Sequence, residues 1–176
     1  SYVEERLAHL AILRRGDLSA PGTCVLAVYA DDPFAPPGVA WAIKVPRETA
    51  KILCLWFNST LNLLQMLQWR KETRGAFMQI DKYTLLEEIK VPDPAQLGGD
   101  ARRRLLEVFE RVRSQRLPSV LEQLRGRHLI RRLIDRAWLE TLGYEGDIES
   151  ALDKLYGAVL REIESLKELM KEGKAS

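Results

Sequence analysis

The chain has 176 residues, of which 46% are hydrophobic and 30% charged, and its formal net charge is only +2. These values suit a folded domain, or a domain with a helical appendage, and exclude a uniformly basic nucleic-acid-binding protein. The most apolar stretch, residues 52–69, is interrupted by six polar residues and is excluded as a membrane span, and the charged start is not a secretory signal. We expect a soluble, cytoplasmic protein.

The first 45 residues contain two short β-prone runs separated by turns. The runs are residues 24–30 and 39–45, and the second alternates as a half-buried strand does. Segments 20–23 and 31–38 are rich in proline, glycine or aspartate, which favour turns. We predict that the two runs pair with each other. The stretch before them, residues 1–15, is charged and amphipathic and is not assigned to the sheet.

A run with helical periodicity follows Pro46. Apolar residues recur at helical spacing, so the sequence predicts one helix over 47–69, buried on most of its circumference, with Trp69 packed at its end. Asn58 and Ser59 lie inside this helix. We interpret them as structural residues that hydrogen-bond a neighbouring strand or loop, because buried amides require partners.

The rest of the chain is predicted to be largely helical. Residues 76–80 are short and β-prone, residues 84–89 form one or two helical turns, and the proline- and glycine-rich segment 90–100 follows. Beyond it, helices are predicted at about 101–116, 118–125, 127–142 and 147–172. Apolar residues of the last helix form a seam that requires a partner helix. The fold class is therefore α+β, with a small mixed α/β domain, residues 1–97, followed by an all-helical C-terminal region, 98–176, that has a long terminal helix.

Charge is unevenly distributed in the helical region. Residues 101–140 contain 11 Lys and Arg against 5 Asp and Glu, whereas residues 141–176 contain 5 against 8. The basic block can bind phosphates in a salt-dependent way, or it can pair with the acidic tail. Both alternatives are open at this point.

The sequence offers no group of side chains suited to catalysis. Neither His9 nor His128 has a carboxylate or a second histidine at ligand spacing, and Cys24 and Cys54 lie in apolar runs as buried free thiols. There is no GxGxxG motif and no Walker loop in the sequence. We predict no catalytic residue, no metal site and no cofactor in this chain.

The segment QMLQWRKETRGAFMQIDKYTL, residues 65–85, places basic residues where the predicted helix ends. On a short loop they can reach phosphates or base edges: arginine reads guanine with a bidentate fork, glutamine pairs with adenine, and lysine contacts phosphate. A second basic pair precedes the turn at 16–23. The candidate DNA-contacting residues are Arg70, Lys71, Arg74, Gln79, Lys82, Arg14 and Arg15. The alternative is that Lys and Arg at a helix C-terminus only meet the negative end of the helix dipole.

Three segments occur in a characteristic order. They are PGTCVLAVYADDPFAPPGVAWAIKV, LCLWFNSTLNLLQMLQWRKETRGAFMQIDKYTLLEEIKVPDP and RHLIRRLIDRAWLETLGY, the last followed by a long helix. Together they resemble the C-terminal region of adenine-N6 DNA methyltransferases of restriction–modification systems, of the Type I and fused Type II kind. In that family a target-recognition (specificity) domain follows the catalytic domain, so the resemblance implies that this chain recognises duplex DNA.

The resemblance does not extend to the catalytic motifs. The family's Asn-Pro-Pro-aromatic motif and glycine-rich loop for S-adenosylmethionine are absent, since APPG at 35–38 lacks both the leading Asn and the trailing aromatic residue. S-adenosylmethionine and base flipping are thereby implied for a catalytic methyltransferase domain of the same parent chain, and this chain alone is not expected to methylate. The alternative function is a helical protein–protein interaction or dimerisation module, self-associating through its last helix without contacting DNA.

Overall fold

The strands and helices follow the predicted α+β order along the chain. The computed structural model describes residues 4–71 and 77–172, and within these ranges it contains five β-strands and seven α-helices. The strands are β1 (Ala8–Leu13), β2 (Arg15–Asp17), β3 (Ala27–Phe34), β4 (Ala40–Ile43) and β5 (Phe77–Gln79). The helices are α1 (Arg47–Asn58), α2 (Thr60–Trp69), α3 (Lys82–Glu87), α4 (Gly99–Val112), α5 (Val120–Arg125), α6 (Leu129–Thr141) and α7 (Ile148–Glu172). The predicted fold class, including the helical C-terminal region and its long last helix, is confirmed.

The main sheet has the strand order β3-β1-β4, and both pairings are antiparallel. The prediction that the runs 24–30 and 39–45 pair with each other is therefore wrong, because β1 lies between them. Leu10 and Ile12 of β1 are buried, and so is Ala11 on the opposite face. A strand that is buried on both faces does not alternate between apolar and polar residues. Periodicity therefore cannot distinguish the apolar run of β1, with charged residues on either side, from an amphipathic helix.

The predicted helix 47–69 is two helices separated by one residue. Ser59 has an extended backbone, with φ −71° and ψ 154°, and its side chain caps α2 by accepting a hydrogen bond from the Asn62 N–H at 3.1 Å. The Ser59 hydroxyl also donates to the Trp56 carbonyl at 2.7 Å. Serine competes for backbone hydrogen bonds in this way and favours a cap over a helix interior. The break changes the direction of the chain and sets the orientation of α2.

Two hydrophobic cores fill the molecule. The first lies among the main sheet, α1, α4 and α6, and includes Leu10, Ile52, Leu105, Phe109 and Trp138. The second lies among the β2–β5 pair, α2, α5 and α7, and includes Leu18, Met78, Leu63, Leu124 and Val159. Both cores contain residues from either side of position 97, where a domain boundary is predicted. The boundary itself stays a prediction.

The apolar seam of α7 is covered by the same chain. Leu152, Val159 and Ile163 are fully buried, and α7 packs against α2, α5 and α6. The partner that the seam requires is thus intramolecular along its described part, and self-association through this helix stays a prediction. None of the described helices, α7 included, combines the length and apolar character that crossing a membrane requires.

Candidate nucleic-acid interface

A buried polar network fixes the start of α2 against α6 and α7. The Asp135 carboxylate, fully buried, accepts hydrogen bonds from the Thr60 N–H and the Thr60 hydroxyl, each at 2.6 Å, and from the Tyr156 hydroxyl at 2.7 Å. Arg131 donates to the Thr60 hydroxyl at 2.9 Å and to the Gln123 side-chain oxygen at 3.0 Å. Burial raises the pKa of Asp135, while the nearby Arg131 charge and the hydrogen bonds oppose that rise. The network anchors α2 at its first residue and so positions its far end.

Asn58 has the structural role predicted for it. Its side-chain oxygen accepts hydrogen bonds from the Leu26 and Ala27 N–H groups at 2.8 and 3.1 Å. Its side-chain nitrogen donates to the carbonyls of Ala27 and Cys54 at 2.9 and 3.0 Å. The end of α1 is thereby tied to the start of β3, and the prediction that this amide bonds a neighbouring strand is confirmed.

The strands β2 and β5 form a two-stranded antiparallel ribbon apart from the main sheet. Arg15 lies opposite Gln79, and Gly16 lies opposite Met78. Met78 is fully buried in the second core, so the Gly16–Met78 pair faces inward and the Arg15–Gln79 pair faces outward. A Cβ atom on Gly16 would lie 2.8 Å from Leu13 Cδ2, which explains the glycine at this close approach.

One backbone hydrogen bond attaches the residue that follows the C-cap of α2 to the ribbon, and another extends the ribbon by one residue pair. The Lys71 N–H donates to the Gln79 carbonyl at 2.9 Å, and the Ile80 N–H donates to the Arg14 carbonyl at 3.0 Å. Asp81 then caps α3 by accepting from the Thr84 N–H at 2.7 Å. We use the name ribbon surface for Arg14, Arg15, Lys71, Gln79, Asp81 and Lys82. These residues come from two distant stretches of the sequence, 14–15 and 71–82, and five of the six are candidate DNA-contacting residues.

The ribbon surface includes the ion pair of Lys71 with Asp81. Lys71 Nζ is 2.6 Å from Asp81 Oδ2, and the Lys71 side chain is 58% exposed. The hydrogen bond from Lys71, followed by that from the Thr84 N–H, lowers the pKa of Asp81 to about 2. Exposed ion pairs are weak, so a phosphate can replace Asp81 as the partner of Lys71 at little cost.

The ion pair with Lys71 determines the pH range over which the Asp81 carboxylate titrates. The pKa of Asp81 in the folded chain lies below the ordinary aspartate value of about 3.9. The ionised carboxylate therefore stabilises the fold fully above about pH 4, and this stabilisation is lost as the pH falls through about 2. Carboxyl-carbon NMR of the Lys71→Met variant should show the Asp81 pKa moving back towards the ordinary value. Lys82→Met, the control, should leave it near its original position. An unchanged pKa in Lys71→Met would contradict the assigned pair.

Arg70 and Arg14 have contacts outside the β2–β5 pair. Arg70 is directed into the fold, where it pairs with Glu162 of α7 at 3.0 Å and donates to the Leu67 carbonyl, and its side chain is only 21% exposed. A DNA contact by Arg70 would require it to leave both partners. Arg14 is exposed and its guanidinium lies 5.8 Å from the centre of the Trp41 ring. Arg74 lies outside the described residues.

Two exposed aromatic residues lie close in sequence to residues of the ribbon surface and were not identified from the sequence as site residues. Trp69, the last residue of α2, is 41% exposed, so the prediction that it is packed at the helix end is wrong in part. Tyr83 directly follows Lys82 in α3 and is 68% exposed. The sequence signal for Trp69 was ambiguous, because an apolar residue at a helix end can face either way.

Most of the basic block at 101–140 pairs within the chain. Arginines of α5, α6 and the turn between them pair with acidic residues of α7, at 2.7 Å for Arg125–Glu164 and 3.2 Å for Arg127–Asp153. Further pairs of this kind are Arg132 with Glu149 and Asp153, and Arg136 with Glu149. Of the two alternatives for this block, pairing with the acidic tail is the one observed for these four arginines.

Features that would suggest catalysis are not found in the described part of the chain. Within residues 4–71 and 77–172, no three His, Cys, Asp or Glu side chains are arranged to hold a metal ion. Cys54 is buried and Cys24 only half-buried, which corrects the prediction that both are buried. Burial raises the pKa of the Cys54 thiol to about 12, so this thiol is protonated and unreactive at neutral pH. Comparison of the chain with protein-family models, with curated proteins and with solved structures found no match.

Proposed function

We propose that the chain recognises duplex DNA in a sequence-specific way and that the ribbon surface is its contact face. One observation carries the proposal: strand pairing and backbone hydrogen bonds bring basic and amide residues from two distant stretches of the sequence together around a two-stranded ribbon. The major groove of B-DNA admits such a ribbon. In this proposal Arg14, Lys71 and Lys82 contact phosphates, which fix the position of the protein on the duplex.

The resemblance to adenine-N6 DNA methyltransferases supports a more specific version of the proposal. In that version the chain is the specificity part of a cytoplasmic restriction–modification enzyme, and a catalytic domain of the same parent chain binds S-adenosylmethionine and flips the target adenine. The two segments that carry most of the resemblance meet in the buried network, where Thr60 bonds Asp135. Those residues therefore maintain the fold, and the recognition chemistry lies at the other end of α2.

The alternative is a helical interaction or dimerisation module without DNA contact. The seam of α7 is buried within the chain as far as Ile163, and Leu169 beyond it is exposed. Self-association by α7 would therefore have to use the end of the helix. DNA recognition is preferred because the ribbon surface combines groups that bind phosphates and groups that read bases, whereas the α7 seam already has its partners.

Asp81→Asn tests the proposal by a gain of binding. Asparagine caps a helix about as well as aspartate, so α3 is retained, while Lys71 loses its ionic partner and the ribbon surface loses its carboxylate. Affinity for a labelled duplex at low ionic strength is expected to rise several-fold, and the slope of log affinity against log salt to steepen by about one. A fold defect cannot imitate this result.

The matched control is Asp93→Asn. Asp93 also caps a turn, at Pro94–Gln96, where it accepts from the Ala95 N–H at 3.0 Å. This turn contacts α1, and its Pro94 carbonyl accepts a hydrogen bond from Arg102 of α4 at 3.4 Å. The substitution makes the same change in net charge away from the ribbon surface and should alter the affinity much less. Equal gains in both variants would show only a response to net charge and would contradict the assigned surface.

A further inference from the structure

The geometry of the ribbon distinguishes the Arg15–Gln79 pair from the other residues of the ribbon surface. The Ile80 N–H donates to the Arg14 carbonyl, one residue outside this pair, and the Gln79 carbonyl accepts from Lys71 on the other side. Arg15 and Gln79 are therefore a non-hydrogen-bonded antiparallel pair, in which the Cα atoms lie about 4.5 Å apart and the side chains are closest. The Arg15 and Gln79 side chains therefore leave the ribbon on the same face.

The opposite face of the ribbon is held rigidly. Met78 and Ile80 are buried in the second core, and Gly16 allows the strand to lie directly on Leu13. A slip of one residue would turn Met78 outward, so the register of Arg15 against Gln79 is strongly determined. Side chains on a rigid element reach a ligand with better-defined geometry than side chains on a loop.

Arg15 and Gln79 together carry the two side-chain types best suited to purine edges in the major groove. Arginine bonds the O6 and N7 atoms of guanine, and glutamine bonds the N6 and N7 atoms of adenine. On the same face of the ribbon, the Asp17 carboxylate accepts hydrogen bonds from both the N–H and the hydroxyl of Ser19 at 2.8 Å.

We propose that Arg15 and Gln79 form the base-reading pair of the chain and select a guanine next to an adenine. The inference rests on the proposed function, since it names the bases read at the same surface. The spacing of the two side chains suits adjacent base pairs. Neighbouring cross-strand side chains start about 5 Å apart, bases along one strand are about 3.4 Å apart, and both side chains are long enough to close the difference. Lys71 bonds Gln79 through its backbone, Arg14 precedes Arg15 and Lys82 follows Gln79 by three residues. In this proposal these three act on phosphates, which carry no sequence information.

Selection of duplexes from a random library by the chain, at low ionic strength, tests the inference. The wild type should enrich sites with adjacent guanine and adenine. Arg15→Lys keeps the charge but loses the bidentate fork, and should reduce the preference for guanine by about 5- to 150-fold while the salt slope is unchanged. Gln79→Ala should remove the preference for adenine and leave that for guanine, and the backbone bond from Lys71 to residue 79 is retained.

The control variant is Lys82→Ala, which should weaken binding to all sequences about equally. The inference is overturned if the wild type binds duplexes in a salt-dependent way but Arg15→Lys and Gln79→Ala select the same bases as the wild type. That result would leave the proposed function intact. If the wild type binds no duplex even at the lowest salt, the proposed function fails and the inference fails with it.

Discussion

Replacement of Asp135 with alanine is expected to lower the free energy of unfolding by about 3–5 kcal/mol, the usual cost of removing one partner from a buried charged network. The carboxylate is the only acceptor that the structure assigns to the Tyr156 hydroxyl and the Thr60 N–H among the described residues. Without it, these donors and the nearby Arg131 charge remain buried and uncompensated. Chemical denaturation followed by circular dichroism measures the loss.

The control for this prediction is Asp153→Ala. Asp153 is also a partner of arginines, at 3.2 Å from Arg127 and 3.4 Å from Arg132, but its side chain is 41% exposed. Exposed ion pairs contribute about 0–1 kcal/mol, so the control should lose less than about 1 kcal/mol. Equal losses in the two variants would mean that the buried network does not have the role assigned to it.

A milder variant keeps the prediction testable if Asp135→Ala does not fold. Tyr156→Phe removes one hydroxyl donor from the network and leaves the ring in the second core. It should cost about 1 kcal/mol, the net value of a typical hydrogen bond. A variant as stable as the wild type would show that the Tyr156–Asp135 bond contributes nothing.

The C-terminal helices were predictable from local signals. Ser119 and Glu122 form a capping box at the start of α5, Gly126 ends that helix, and the seam of α7 has helical spacing over its whole length. Errors occurred where tertiary contacts decide the outcome. The strand β1 is central because β3 and β4 pair with its two edges, and both partners come later in the chain. Ser59 ends α1 because its hydroxyl caps α2, and the bonds between Thr60 and Asp135 stabilise the first residue of α2.

The candidate site was only partly predictable. Five residues of the ribbon surface were identified one by one, as polar residues at turns and at a helix end. They are Arg14, Arg15, Lys71, Gln79 and Lys82. Their convergence depends on the pairing of β2 with β5, and the register of two strands far apart in sequence leaves no local signal. Arg70 was predicted to emerge on a loop, but its partner Glu162 belongs to α7, which no pattern near Arg70 indicates.

Loss of the three phosphate-binding side chains should have the largest effect on binding. The variant Arg14→Ala/Lys71→Ala/Lys82→Ala removes three charges from the ribbon surface and leaves Arg15 and Gln79 in place. Each phosphate contact contributes about 0.9 to the slope of log affinity against log salt, so the slope should fall by about 2–3. The affinity for duplex DNA at 0.1 M salt should fall by about 10- to 100-fold. These residues are at the surface, so the fold should be retained.

The matched control removes three exposed arginines elsewhere. Arg103, Arg104 and Arg111 lie on α4, which packs on α1 and α6 and belongs to the first core. The variant with all three replaced by alanine has the same net charge as the ribbon variant. Its salt slope should stay close to that of the wild type, because the proposal assigns it no phosphate contact.

The most direct measurement is a titration of a fluorescently labelled duplex with these three proteins, followed by anisotropy over a series of salt concentrations. We expect salt-dependent binding by the wild type, an almost equal slope for the α4 control, and a slope shallower by about 2–3 for the ribbon variant. Parallel slopes for the wild type and the ribbon variant, or no binding by the wild type at the lowest salt, would contradict duplex DNA recognition by the ribbon surface.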